Sequence, residues 1–216
     1  MTRRFAVAAV ALTSIVASAA AETREPVHLV WMDPARTAVG VDALARDEAR
    51  SLLRKLGVSA SWRRGEAGEV ARPAEVRVIL LDRGIDQAPG IPILGATPSH
   101  FEGAPFVWVH VPNVRAAAGL RPAGSGLADL LSARAFGIAL GRVVAHEIVH
   151  ALAPSVAHGT GLMSGKLTCR QLTAAKLPVD PEVGLAVRAA LRGEPSLPPA
   201  AAGTLAAATA GTKLAW

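Results

Sequence analysis

The alternation of apolar and polar residues along the chain predicts short strands interleaved with helices. Apolar runs rich in β-branched and aromatic residues predict strands at residues 27–32, 58–63, 76–82 and 106–111. A weaker strand is expected at residues 91–94, inside a Gly- and Pro-rich loop over residues 83–105. Apolar residues at intervals of three and four predict helices at residues 41–56, 126–152, 168–176 and 181–191.

The helix over residues 126–152 is apolar on two sides near its end, which predicts that it is buried, and Pro154 should terminate it. The order of elements predicts an α/β (α+β) fold. Its mixed twisted sheet has one helix packed on it and a second, buried helix beneath it, and a small, mostly helical part follows. Residues 22–192 suit a single domain, and the Ala/Pro/Gly-rich residues 193–216 predict a flexible tail.

The first 21 residues have the order of a secretory signal peptide. Arg3 and Arg4 precede an apolar run over residues 5–16, and small residues ending at Ala21 form an A-x-A cleavage site. The apolar run is shorter than the roughly 20 residues that span a bilayer, so no stable membrane insertion is expected after cleavage. The mature chain is therefore predicted to be secreted or periplasmic.

Charge and cysteine content argue against a nucleic-acid partner and against cysteine-based catalysis. The chain has 23 basic and 17 acidic residues, and removal of Arg3 and Arg4 with the signal leaves 21 against 17. The basic residues are scattered singly, so no nucleic-acid partner is expected. Cys169 is the single cysteine, which rules out an internal disulfide. It is predicted to be a buried apolar filler, and no signature of a cysteine protease surrounds it.

The stretch HEIVH within the buried helix carries the strongest chemical signal. His146 and His150 are four residues apart and so share a face of the helix, where their imidazoles can converge on one metal ion. Glu147 follows His146 directly and therefore points to a different side of the helix. It can reach a water molecule that the metal activates and can act on it as general acid/base. Zinc suits this arrangement because it lowers the pKa of a bound water from about 15.7 to about 7. The alternative is two unrelated histidines, but burying both without a metal would be costly.

A catalytic zinc site needs a third protein ligand and an open fourth position. His158 is the favoured third ligand, because the break at Pro154 lets the chain turn back and present it from a loop. Asp180, Glu182 and Glu194 are the other candidates, and none of them stands in a recognisable motif. A third ligand from this set would indicate a different class of HExxH enzyme.

The stretch HEIVHALAPSVAHGTGLMSG resembles the zinc-binding region of the metzincin metallopeptidases, and the ALGRVVAHE that precedes it resembles small exported bacterial proteins of that type. The resemblance implies a metzincin-like fold and one catalytic Zn²⁺ bound by His146, His150 and His158. It also implies that Met163 supports the site in a tight turn. An edge strand drawn from residues 91–106 would receive a peptide or protein substrate as an added strand.

Three departures from the metzincin pattern are visible. Ala153 replaces the glycine of HExxHxxGxxH, Val156 stands where the third histidine is usual, and the chain contains no tyrosine. The turn after the helix must therefore be built differently, because alanine adopts the left-handed conformation less readily than glycine. Two functions remain open: an exported zinc metalloendopeptidase, and a non-catalytic exported zinc-binding protein that keeps the fold.

Overall fold

The computed structural model describes residues 26–66, 68–72, 75–88, 91–98, 103–120 and 127–194. The predicted signal peptide and the tail beyond residue 194 lie outside these residues. The strands are β1 (Val27–Met32), β2 (Ala60–Arg64), β3 (Glu75–Leu81), β4 (Asp86–Ala88), β5 (Ile91–Pro92), β6 (Gly95–Ala96) and β7 (Phe106–His110). The helices are α1 (Asp42–Lys55), α2 (Val111–Ala117), α3 (Leu127–Leu152), α4 (Cys169–Thr173) and α5 (Pro181–Leu191).

Five strands form one mixed sheet in the order β2–β1–β3–β7–β6. The first four are parallel, and β6 runs antiparallel to β7 along one edge. Strands β4 and β5 pair separately as a two-stranded antiparallel ribbon. Val76, Val78 and Leu80 alternate along β3 and are buried, so one face of the sheet forms part of the core. The mixed α/β (α+β) architecture predicted from the sequence is confirmed.

Helices α1 and α3 pack against each other, and α3 also contacts β3, β6 and β7. Every residue of α3 from Ala139 to Val149 is buried, which confirms the predicted burial. The segment Asp129–Leu152 is long and apolar enough to cross a membrane by length and composition alone, but 72% of its apolar window is buried inside the fold. A core helix has the same properties, so this segment is weak evidence for a membrane span.

Helix α2 was not predicted from the sequence, and Val111, expected to be the last residue of a strand, is its first residue. Pro112 lies in the first turn of α2, where a missing backbone N–H breaks no helical hydrogen bond. Helix α4 is shorter than predicted. It begins at a capping box formed by Thr168 and Gln171 and ends at Thr173, because the ψ of 150° at Ala174 is not helical.

The prediction that Cys169 is a buried filler is wrong. Cys169 is exposed, and its thiol donates a hydrogen bond to the Ala118 carbonyl oxygen at 3.3 Å. It is the first residue of α4, directly after the capping residue Thr168. The opening turn of this short helix faces solvent, so helix initiation rather than core packing places the cysteine.

Two glycines of α3 allow it to approach α1 closely, and they make a graded stability prediction. A methyl group at Gly141 would collide with the backbone carbonyl oxygen of Ala45, whereas one at Gly137 would lie 2.9 Å from Cδ2 at the end of the Leu44 side chain. Alanine raises the helix propensity of both sites equally, by about 1 kcal/mol. Overpacking costs about 1–3 kcal/mol, so G141A should be clearly less stable than G137A in urea unfolding. Equal stability of the two variants would contradict this packing.

Candidate metal centre

Three histidine side chains meet at the carboxyl-terminal end of α3. His146 and His150 project from the helix one turn apart, and His158 approaches from the following loop. Their ring centroids are 4.8 Å (146–150), 4.9 Å (150–158) and 5.3 Å (146–158) apart. One nitrogen of each ring lies within 4.8 Å of the other two, close enough to bind one metal ion. The predicted convergence of these three residues is confirmed.

The loop after α3 explains how His158 rather than residue 156 reaches the site. Helix α3 ends at Leu152, and the N–H of Val156 donates to the carbonyl oxygen of the buried Ala153 at 3.0 Å. Val156 packs against the hydrophobic core. Ala153 does not have a positive φ, so the turn does not use the left-handed conformation that glycine would favour. Two further residues then bring the chain back and place His158 beside His150.

The segment after His158 orients the first histidine. Nδ1 of His146 lies 2.8 Å from the carbonyl oxygen of Leu162. A carbonyl only accepts hydrogen bonds, so Nδ1 carries the proton and Nε2 keeps its lone pair for a metal. Gly161 begins this turn with a φ of +58°, and a side chain there would collide with the Pro178 carbonyl oxygen. Met163 ends the turn and is 2% exposed, so the residue predicted to support the site is buried in the hydrophobic core.

The imidazoles of His150 and His158 lie at a spacing that suits a zinc ion. Nε2 of His150 and Nε2 of His158 lie 3.1 Å apart, close to the separation of about 3.3 Å between two nitrogens bound tetrahedrally at a Zn–N distance of about 2.0–2.1 Å. Burial lowers the pKa of His146. Burial, with repulsion from the two neighbouring imidazoles, also lowers the pKa of His150 to about 4. Both rings are therefore neutral near pH 7, as metal binding requires.

Glu147 is buried beside the histidines, with 6% of its surface exposed. Burial raises the pKa of its carboxyl group to about 7, against the opposing effect of a hydrogen bond from Thr97. The Thr97 hydroxyl lies 2.9 Å from Oε2 of Glu147. A general base is most effective when its pKa is near the working pH, so this carboxyl group suits proton transfer at neutral pH.

The alternative carboxylate ligands do not join the histidine group. Oδ1 of Asp180 accepts a hydrogen bond from the N–H of Glu182 at 2.9 Å and caps helix α5. Glu194 forms an ion pair with Arg192. The group of candidate metal ligands contains His146, His150 and His158 and none of these carboxylates.

Two cavities border the histidine group. The first, of about 510 Å³, lies between edge strand β6 and the end of α3 and is lined by Gly95, Phe106, Glu147 and the three histidines, among others. The second, of about 500 Å³, shares His146, Glu147 and His158 and extends toward Val143, Leu167 and Cys169. A ligand crossing the site could thus extend to either side of the metal centre.

Sequence reasoning identified the three histidines and Glu147 but missed the residues that hold them. Thr97 lies 50 residues before Glu147 in a stretch expected to be mainly loop. Leu162 acts through its backbone carbonyl, so its side-chain identity gives no signal. Neither contact has a spacing that a sequence pattern could reveal.

Comparisons of the chain with protein-family models, curated proteins and solved structures find no match. Any functional assignment therefore rests on the residues and geometry of this chain.

Proposed function

We propose that this chain is an exported zinc-dependent endopeptidase of the metzincin type, with His146, His150 and His158 as zinc ligands and Glu147 as general acid/base. The observation that carries the proposal is the meeting of three imidazoles in one cavity with a buried carboxyl group. Glu147 is buried and is not one of the candidate ligands, so its carboxyl group is available for proton transfer beside the metal. The leader-like order of residues 1–21 supports export.

Zinc in this site would polarise a peptide carbonyl and lower the pKa of a water molecule to about 7. Glu147 takes a proton from the attacking water and returns it to the amine that leaves, so its carboxyl group must accept and then donate. The Leu162 carbonyl keeps His146 in the tautomer that binds metal. The chain contains no tyrosine, so an oxyanion has no phenol to accept hydrogen bonds from.

An extended peptide is the ligand that suits the surroundings of the site. Strand β6 ends the sheet order, so within the described part of the chain one of its edges has no strand paired with it and could accept an added strand. Gly95 and Ala96 of β6 line the first cavity beside the three histidines. A peptide paired with β6 would pass across the metal centre, with side chains directed toward the two cavities.

Incubation of the zinc-loaded chain with a broad peptide mixture, followed by mass spectrometry of new termini, tests the proposal. We expect internal cleavage that a metal chelator stops and added zinc restores. Zinc bound at one ion per chain with no cleavage of any peptide would favour the non-catalytic zinc-binding protein instead. That second function is supported by the replacement of the metzincin glycine with Ala153.

Replacement of His158 by alanine is expected to weaken zinc binding by more than 100-fold. Loss of a residue that only orients a metal-binding side chain lowers metal affinity by about 10- to 100-fold. Loss of a metal-binding side chain itself should lower it further. Competition with a chromophoric chelator measures the affinity. His28→Ala is the matched control, because His28 is exposed on β1 and bonds to Ser61. Unchanged zinc affinity in His158→Ala would point to a different third ligand.

A further inference from the structure

The side chain of Thr97 connects the edge of the sheet to the helix that carries the metal ligands. Thr97 directly follows β6, and its Oγ1 lies 2.9 Å from Oε2 and 3.0 Å from the main-chain oxygen of Glu147. A threonine hydroxyl has one hydrogen to donate. That hydrogen can go to the carboxyl oxygen or to the main-chain oxygen, and either hydrogen bond ties Thr97 to Glu147. The contact thus joins two elements that are 50 residues apart in sequence.

The backbone of β6 makes a second contact with the same side chain. A Cβ atom placed on Gly95 would lie 2.6 Å from Cγ, 2.9 Å from Cδ and 2.8 Å from Oε1 of Glu147. No side chain can occupy that position without displacing the glutamate. Glycine at residue 95 therefore lets the strand lie directly against Glu147, while Thr97 holds its other carboxyl oxygen.

We propose that Thr97 is a positioning residue for Glu147 and that β6 serves two purposes at once. The strand that would pair with an extended peptide also fixes the orientation of the carboxyl group. A glutamate side chain loses considerable rotational freedom when it is held in one geometry, and the Thr97 hydroxyl and the Gly95 backbone impose that geometry before a ligand arrives. The contacts of β6 with Glu147 support the positioning role, whereas its effect on catalysis rests on the proposed peptidase function.

Two substitutions at residue 97 distinguish the effect of the hydroxyl group from the effect of the side-chain shape. Thr97→Val keeps the branched shape and removes the donor, whereas Thr97→Ser keeps the donor and removes the methyl group. We expect Thr97→Val to lower kcat by about 10- to 100-fold, the upper value being typical of a misplacement of about 1 Å. KM should stay within about 2-fold, because an interaction that serves the chemical step lowers kcat rather than binding. Thr97→Ser should retain kcat within about 3-fold.

Other kinetic results would overturn the inference. Full activity in Thr97→Val would show that the hydroxyl is dispensable. Equal losses of kcat in the Val and Ser variants would show that residue 97 acts through packing. Gly95→Ala gives an independent check, since its methyl group should displace Glu147 and lower kcat even though Thr97 is intact.

Crystal structures of the zinc-loaded wild type and Thr97→Val provide a measurement that needs no turnover. We expect the Glu147 carboxyl group to bond to the hydroxyl in the wild type and to adopt a different or mixed orientation in the variant. An unchanged, fully ordered Glu147 in Thr97→Val would overturn the positioning role. If the wild type cleaves no peptide but Glu147 shifts in the variant, the peptidase proposal fails and the positioning role stands.

Discussion

Replacement of Glu147 by glutamine is expected to lower peptide hydrolysis by about 100- to 10,000-fold, the range that general acid–base catalysis supplies. Glutamine keeps the length of the side chain and an oxygen that can accept the Thr97 hydrogen bond, but its amide cannot take up a proton. Zinc should stay bound, since Glu147 is not part of the group of candidate ligands. The measurements are kcat/KM for a peptide found in the cleavage screen and the zinc content per chain.

Glu66→Gln is the matched control for this variant. Glu66 is exposed and follows β2, which forms the edge of the sheet opposite β6. The same change of charge there should leave hydrolysis and zinc content unaltered. Undiminished hydrolysis in Glu147→Gln would exclude Glu147 as the base. Loss of zinc together with hydrolysis would assign Glu147 to the metal instead.

Local periodicity made most of the fold predictable from sequence. The bounds of β1 and α5 agree with those predicted, and α3 ends where predicted. Residue 126, where α3 was expected to start, lies outside the described residues. These elements follow from repeating apolar positions and from Asp180 and Pro181 at a helix start. The pairing of His146 with His150 was predictable for the same reason, because a helix fixes the relation of residues four apart.

Contacts between residues that are distant in sequence escaped prediction. The edge strand was expected somewhere in residues 91–106, but its two residues in β6 could not be placed because Gly95 and Ala96 have low strand propensity. Pairing with β7 holds them in place. The hydrogen bond from Thr97 to Glu147 depends on that pairing. Tertiary structure, rather than local sequence, therefore determines how the glutamate is held.

The chain also buries an arginine that sequence patterns gave no reason to single out. Arg142 lies on α3, one turn before His146, and is 2% exposed. Its guanidinium donates to Oε1 of Glu48 on α1 at 3.0 Å. It also donates to the carbonyl oxygens of Gln171 at 2.6 Å and Ala174 at 2.7 Å. One side chain thus ties α1 and the α4 segment to the helix of the metal centre.

Arg142→Met is expected to lower the free energy of unfolding by about 3–5 kcal/mol, the usual loss when one partner of a buried ion pair is removed. Methionine preserves much of the apolar packing but leaves the acceptors on Gln171 and Ala174 without their donor. Urea unfolding measures the change. Arg50→Met is the control, because Arg50 and Asp47 form an exposed ion pair on α1 whose loss should cost about 0.5 kcal/mol or less.

A double-mutant cycle with Glu48→Gln separates the ion pair from the two carbonyl contacts. Glu48→Gln keeps a side-chain oxygen that can accept a hydrogen bond and leaves the guanidinium its two carbonyl partners, so it should destabilise less than Arg142→Met. The losses of unfolding free energy in the two single variants should add up to more than the loss in the double variant, because both single changes remove the same contact. If Arg142→Met costs no more than Arg50→Met, the guanidinium does not hold these elements together. If it costs the predicted amount and Glu48→Gln costs little, the backbone carbonyls of the α4 segment are its main partners.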